Sequence, residues 1–309
     1  MSGVEPGFEA RFRAASADLK AAADHYANVI AQGFGQAGAA ERIPTFRAYY
    51  SDRTAVLMAV MCRYAYTAFE QDRTNARLLH LQVESHGLKL KGRFAAGGTE
   101  GFVAESPEMV ILAFRGTTDK VDWRTNLKAR NPKTVLVKGR PPVCVHEGFL
   151  LAYEAVEAEV ERLLADVKNK PIYITGHSLG GAVAVVATMS LARDEIAACY
   201  TFGSPRVGDR SFDEYVKAPH YRVVNGLDAV PLVPFSLMRY SHGGDPRFIR
   251  KGQVDAARWD RPVMRAILVN FVAMIELVFR KTPAGVRDHS IELYGEILYR
   301  IAVERGGWK

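Results

Sequence analysis

One serine in this chain stands where a hydroxyl could act as a nucleophile. Residues 172–182 read Ile-Tyr-Ile-Thr-Gly-His-Ser-Leu-Gly-Gly-Ala. The β-branched and aromatic run at 172–175 predicts a buried strand, and the Ala/Val-rich stretch from 179 to about 191 predicts a helix. A serine at that junction is pushed out of the sheet's end on a sharp, strained turn, and Gly176 and Gly180 leave room for the backbone to bend. The turn also sets the Leu179 backbone N–H at a helix N-terminus beside the Ser178 hydroxyl, which is half of an oxyanion site.

An alcohol is a weak nucleophile at neutral pH, so Ser178 needs a general base and the base needs an orienting acid. Eight histidines are available. His177 adjoins the serine, and neighbours on a strand-to-helix turn point in different directions, which makes it a poor base. His242, in Tyr-Ser-His-Gly-Gly-Asp, reads as a strand-edge or loop residue. His289, in Arg-Asp-His-Ser-Ile-Glu-Leu-Tyr, precedes a closing helical pattern, and its late position suits the order Ser, Asp, His. For the acid, Asp228 directly follows an apolar strand in Val-Val-Asn-Gly-Leu-Asp-Ala-Val-Pro. Asp209 and Asp213 lie in a polar loop and are weaker candidates, and Asp288 reads as the cap of the helix after His289.

The elements that must position these groups alternate along the chain. An amphipathic helix is expected around 8–30, then a Gly-rich break at 32–40 and a second helix at 51–69. Strand-like runs follow at 78–83, 101–104 and 109–114. The last of these, Met-Val-Ile-Leu-Ala-Phe, is apolar throughout, as a strand covered on both faces should be. A helical pattern spans 146–167, and further strands are expected at 198–202 and 221–225. Strands alternating with helices imply an α/β fold with a mostly parallel central sheet and helices on both faces, in a single domain over 1–309. Functional residues then belong in the loops at the strands' C-terminal ends.

Composition narrows the partners. The chain has 309 residues, 48% of them hydrophobic and 24% charged, which suits a globular domain with a sizeable core. Cys62, Cys144 and Cys199 are odd in number, far apart and without metal-ligand spacing, so buried free thiols are expected and neither a disulfide framework nor a metal or organic cofactor is. Glu5, Glu9 and Asp18 interrupt the first thirty residues, so no standard secretory signal is expected, and the protein reads as cytoplasmic or exported by another route. The net charge is +7, and residues 247–287 carry nine basic and three acidic residues of it. No zinc spacing or aromatic-interleaved basic strand accompanies this charge, which argues against nucleic acid. The same region contains a long apolar run at 263–279, short of a comfortable membrane span. It reads as a helix buried against the domain or as a surface touching lipid.

Several blocks together resemble the class 3 lipases, the filamentous-fungal triacylglycerol lipase-like family. They are Phe-Arg-Gly-Thr at 114–117, Trp123 with Asn126, Val-His-Glu-Gly-Phe at 145–149, the serine turn, Thr-Phe-Gly-Ser-Pro-Arg-Val-Gly at 201–208, Asp-Ala-Val-Pro at 228–231, Tyr-Ser-His-Gly at 240–243, and Asp288 with His289. The resemblance implies an α/β-hydrolase fold and a serine ester hydrolase acting on lipid esters, with Ser178 as nucleophile, Asp228 as acid and His289 as base. It implies Thr117 as the second oxyanion donor beside the Leu179 N–H, and no chemical role for Gly203, Ser204 or Pro205. His146 reads as a packed, hydrogen-bonded histidine. Where the fungal enzymes carry an amphipathic lid, residues 118–126 offer only Val121 and Trp123 as large apolar groups. The segment 234–286 between acid and base reads as a cap-like insertion, and 247–287 as a candidate contact with an anionic lipid surface. A phospholipase A1-type activity and a non-catalytic lipid-binding protein are the alternative readings.

Overall fold

The computed structural model of the chain describes residues 49–66, 73–116, 132–135, 142–226, 228–234, 239–250, 253–255 and 288–306. In chain order its strands are β1 (Lys89–Ala96), β2 (Thr99–Glu105), β3 (Val110–Phe114), β4 (Pro132–Val135), β5 (Val143–His146), β6 (Ile172–His177), β7 (Ile196–Phe202), β8 (His220–Asn225), β9 (Asp245–Arg250) and β10 (Gln253–Asp255). The helices are α1 (Asp52–Tyr64), α2 (Arg73–Glu84), α3 (Glu147–Glu154), α4 (Glu157–Leu164), α5 (Leu179–Leu191), the short α6 (Arg210–Asp213) and α7 (Ile291–Glu304).

Among the described residues, eight strands form one sheet in the order β1-β2-β3-β6-β7-β8-β9-β10, and β4 and β5 pair as a separate ribbon. The pairings β3–β6, β6–β7, β7–β8 and β8–β9 are parallel, and the flanking pairs are antiparallel. The 109–114 run is apolar because successive side chains of β3 enter two different cores. Ile111 and Ala113 pack on the side of α1 and α7, while Val110, Leu112 and Phe114 pack on the side of α3, α4 and α5. Strand β6 repeats the division, with Tyr173 on the first side and Ile172 and Ile174 on the second. The α/β-hydrolase architecture expected from the sequence is the one present.

Helix α1 starts at Ser51, whose side chain accepts from the Thr54 N–H, and Asp52 lies in its first turn. Thr54 through Cys62 are all buried, because α1 is enclosed between the sheet and α7. Two sequence expectations fail nearby. The 78–83 run is not a strand but the second half of α2, where Leu79 and Val83, four residues apart, face the core and Leu78 and Leu81 remain exposed. The hairpin β1–β2 has no counterpart among the expected strands at β1, because Phe94 is the one fully buried side chain on that edge strand. Its sequence signal is the Gly97-Gly98 turn, with both residues at positive φ.

Two further boundaries shift. Residues 143–146 form β5, and the helical pattern at 146–167 divides into α3 and α4. The segment 234–286 does not leave the sheet at once, since β9 continues the parallel order beside β8 and β10 returns against it. The cap-like reading is therefore confined to the part beyond 255. That part, the 263–279 run and the expected helix at 8–30 lie outside the described residues. Among the described residues no helix is long and apolar enough to cross a membrane. Cys62 and Cys199 are buried free thiols and Cys144 is partly buried. Burial pushes the Cys199 thiol up to about 12.

His86 illustrates how this core responds to acid. It is almost fully buried, its Nε2 lies 2.9 Å from the Tyr64 hydroxyl, and burial lowers its pKa from 6.5 to about 4. Between those two values the unfolded chain binds the proton that the folded chain refuses, so stability falls as pH drops from 6.5 towards 4. The loss amounts to about 1.4 kcal/mol per pH unit for this one group. His86→Gln removes that contribution, and urea unfolding followed from pH 7 to pH 4 should show a shallower decline than in the parent. An identical slope would mean that His86 is not charging on unfolding.

Candidate active site

The C-terminal ends of the parallel strands meet at one edge, and the chain turns there four times. Strand β3 runs out into Arg115-Gly116, β6 into Ser178, β7 into Gly203, and β8 into the turn that carries Asp228. The segment before α7 brings His289 to the same edge.

Ser178 sits between β6 and α5 with φ 58° and ψ −129°, a conformation L-residues rarely hold and one that costs about 1–3 kcal/mol. The glycines make it sterically feasible. A side chain at Gly180 would lie 2.6 Å from the Phe114 carbonyl oxygen, and one at Gly176 would collide with Gly180 itself. The Ser178 N–H donates to the Phe202 carbonyl at 3.0 Å, which ties the turn to the next strand. Leu179 opens α5, and N–H groups in a helix's first turn have no intrahelical acceptor.

The structure brings the three sequence-selected groups together in line. His289 Nε2 lies 2.9 Å from Ser178 Oγ, and His289 Nδ1 lies 3.0 and 2.9 Å from the two oxygens of Asp228. The Asp228 side chain is fully buried, whereas that of His289 keeps 22% of its surface open. Two other donors hold the carboxylate: the Tyr294 hydroxyl at 2.7 Å and the Val230 N–H at 2.9 Å. The Tyr294 oxygen in turn accepts from the Asn225 N–H at 2.9 Å. Burial and the Asp228 charge hold the Tyr294 phenol well above its usual pKa, so it remains a donor. A carboxylate with its lone pairs occupied in this way orients the imidazole so that Nδ1 carries the proton and Nε2 is free to accept one from Ser178.

Residues that sequence reasoning set aside also belong here. The family resemblance implies no chemical role for Gly203, yet a side chain on it would strike Asp228 and approach His289 Nδ1 to 2.9 Å, and its φ of +55° favours glycine. The carboxylate–imidazole contact therefore requires a residue without Cβ at 203. Tyr294 and Asn225 carried no signal of their own, since each is one apolar-strand or helix residue among many. Tyr66 and His177 are likewise absent from the sequence-based site. His177 Nε2 lies 2.7 Å from the His289 carbonyl oxygen and its Nδ1 lies 2.7 Å from the Tyr66 hydroxyl. Burial, followed by the neighbouring His289 ring, lowers its pKa well below 6.5, so it stays neutral.

The remaining candidates have other duties. His242 Nε2 donates to the Pro231 carbonyl at 2.6 Å, and burial, then Arg222, keeps the ring neutral. Asp209 caps α6 through the Phe212 N–H, and Asp213 accepts from the Gly244 N–H at 2.9 Å. His146 is buried as expected, caps α3 through the Gly148 N–H and stacks on Phe149 at 4.2 Å. Asp288 does not cap the last helix. Ser290 does so by accepting from the Leu293 N–H, while the Asp288 carbonyl accepts from the Asn225 side-chain amide. The reason is spacing, because a cap must stand immediately before the first helical residue, here Ile291. Thr117, Val121 and Trp123 lie outside the described residues. Among the described residues no group of three or more His, Cys, Asp or Glu is placed to hold a metal ion.

Comparison with known proteins places this geometry. The family described as Lipase (class 3) matches residues 111–238, a span that includes β3, Ser178 and Asp228. The secreted mono- and diacylglycerol lipase 1 of Fusarium solani is 36% identical over 155 residues, covering 47% of this chain and 45% of that protein. A chloroplastic phospholipase A(1) of Arabidopsis thaliana is 32% identical over 149 residues, covering 40% of this chain and 33% of its own length. The chain thus spans less than half the length of these curated relatives. The crystal structure of a lipase from Rhizopus microsporus var. chinensis superposes with a TM-score of 0.53 at 27% identity, covering 68% of this chain and 78% of that one. The chain thus matches the class 3 lipase family in sequence over residues 111–238, and its fold is similar to that of a solved fungal lipase.

Proposed function

We propose that the protein is a serine carboxylic-ester hydrolase acting on lipid esters of the triacylglycerol lipase or esterase kind, through an acyl-enzyme formed on Ser178. The observation that carries the reading is the in-line contact of Ser178 Oγ, His289 Nε2 and the doubly braced Asp228 carboxylate. In the first half-reaction the Ser178 oxygen attacks the ester carbonyl as His289 Nε2 takes its proton. The resulting oxyanion is received by the Leu179 N–H, with Thr117 as the partner that the family resemblance assigns. His289 then returns the proton to the departing alcohol, and the C–O bond to it breaks. Water, deprotonated by the same nitrogen, attacks the acyl-serine and releases the acid and Ser178.

The match to a secreted mono- and diacylglycerol lipase supports glycerides as the substrate class. A phospholipase A1-type activity is the second reading, supported by the match to the chloroplastic enzyme. Hydrolysis of p-nitrophenyl esters from two to sixteen carbons, with a fluorophosphonate probe mapped by mass spectrometry, tests the class. Turnover with adduct at Ser178 is the expected result, and a folded protein that neither turns over nor labels would be a binding protein instead. Release of fatty acid from triacylglycerol against diacyl phospholipid then separates the two substrates.

The basic region 247–287 is proposed as a peripheral contact with anionic lipid, each basic side chain near the surface contributing about 1 kcal/mol. Arg247 does not take part, because it pairs with Asp245 and lies over the Tyr50 ring at 4.7 Å. The charge for such a surface belongs to the other eight basic residues of the region. Sedimentation with anionic vesicles at low salt should exceed that with neutral ones, and equal binding would remove the proposal.

A further inference from the structure

From the buried imidazole between the serine and the base, we infer that His177 is a positioning residue, a cross-link that sets the separation between Ser178 and His289 and joins it to the end of β3. The inference rests on the proposed role of Ser178 and His289 as nucleophile and base.

Three contacts define the cross-link. The His289 carbonyl can only accept, so His177 Nε2 carries the proton and donates to it over 2.7 Å. In a neutral ring the other nitrogen is then an acceptor, and the Tyr66 hydroxyl at 2.7 Å is its donor. The tautomer of His177 is thus dictated from both ends. The third contact is lateral: the rings of His177 and His289 lie with centroids 4.5 Å apart at 34°. His177 is the last residue of β6, so its backbone is continuous with the Ser178 turn. A single rigid side chain therefore joins the nucleophile's strand to the backbone of the base.

The far end of the cross-link reaches Gly116, just past the end of β3. Tyr66 follows α1, and its hydroxyl lies so close to Gly116 that a side chain at 116 would collide with it. The same added carbon would stand 2.7 Å from the His177 carbonyl oxygen. Tyr66, Gly116 and His177 therefore form one packed unit at the end of β3, at the residue that precedes Thr117 in sequence. His289 is held to Asp228 at one ring edge, but that bond alone leaves the imidazole free to pivot about Nδ1. The backbone contact from His177 fixes where the His289 main chain sits, and the His177 ring at 4.5 Å limits the pivot of the imidazole.

A glutamine places an amide N–H near the Nε2 position of histidine, whereas asparagine is too short to reach it. His177→Gln should retain the donor to His289 and stay within about 10-fold of the parent in kcat, while His177→Asn, with the reacting atoms displaced on the order of 1 Å, should lose about 10²-fold. KM for a p-nitrophenyl ester should be nearly unchanged in both, and fluorophosphonate labelling of Ser178 should slow in step with kcat. Tyr66→Phe, nearly the same shape, keeps the fold and should lower kcat about 10-fold through loss of the donor that dictates the tautomer. Circular dichroism and thermal unfolding establish that each variant is folded. Equal activity of folded His177→Asn and His177→Gln, or a full-rate Tyr66→Phe, overturns the inference. A parent protein unlabelled at Ser178 would instead overturn the proposed function on which it rests.

Discussion

Ser178→Ala lowers kcat for ester hydrolysis by about 10⁴-fold or more and leaves the protein folded. The size follows from what the hydroxyl does. Removing it leaves no atom on the strained turn to form the acyl-enzyme, and the base has nothing to deprotonate within 2.9 Å. The residue that remains still offers the Leu179 N–H and the binding surface, which is why some acceleration over water is expected to survive. Stability should change little or improve, since alanine is accommodated wherever serine is. Both residues tolerate φ near +58° poorly, and the strain is already imposed by Gly176, Gly180 and the bond to Phe202. The measurement is initial rate on a p-nitrophenyl ester together with fluorophosphonate labelling. Activity within 10-fold of the parent would remove Ser178 from the chemistry and the proposed function with it.

Asp228→Asn is the second large effect, about 10⁴-fold in kcat with the geometry nearly intact. The carboxylate receives three donors: His289 Nδ1, the Tyr294 hydroxyl and the Val230 N–H. An asparagine has one acceptor oxygen and must turn its NH₂ towards one of those donors. If the amide nitrogen faces His289, the ring adopts the tautomer with the proton on Nε2, and it can no longer accept from Ser178. If it faces Tyr294, the phenol must abandon either that contact or the Asn225 N–H it already accepts from. Either arrangement leaves a buried polar group unsatisfied, at about 1–3 kcal/mol of stability. Both kcat and urea unfolding should therefore fall, which distinguishes this variant from Ser178→Ala. A kcat within 10-fold of the parent would show that another group orients the base.

The strained turn at Ser178, the proposed nucleophile, was legible in the sequence because everything that shapes it is local. A strand run, two glycines four residues apart and an Ala/Val helix lie within twenty consecutive residues, and backbone sterics alone convert that string into the turn that carries Ser178. The positions proposed for base and acid were legible for a related reason. Asp228 follows a strand with an apolar Val223-Val224 centre and His289 precedes the last amphipathic helix, so local pattern placed both at element ends. The alternation of β3 between two cores was visible as the unbroken apolar run at 109–114, as expected of a doubly covered strand.

Local pattern misled where packing against a distant element decided the outcome. The 78–83 run has an apolar content that suits a strand, but within that run α2 buries only Leu79 and Val83, and that choice depends on what lies beneath it. Strand β9 carries arginines and a proline and resembles a surface loop until β8 pairs with it. The sequence by itself determined that Ser178 would stand on a strained turn at the end of a strand, because the forces that shape a turn act within a few residues. Only the tertiary structure decided what surrounds it. His177 meets Tyr66 across 111 residues of chain and His289 across 112, and Tyr294 reaches Asp228 across 66. Contacts at such separations depend on how the sheet and its two helical layers close together, and no spacing along the chain encodes them.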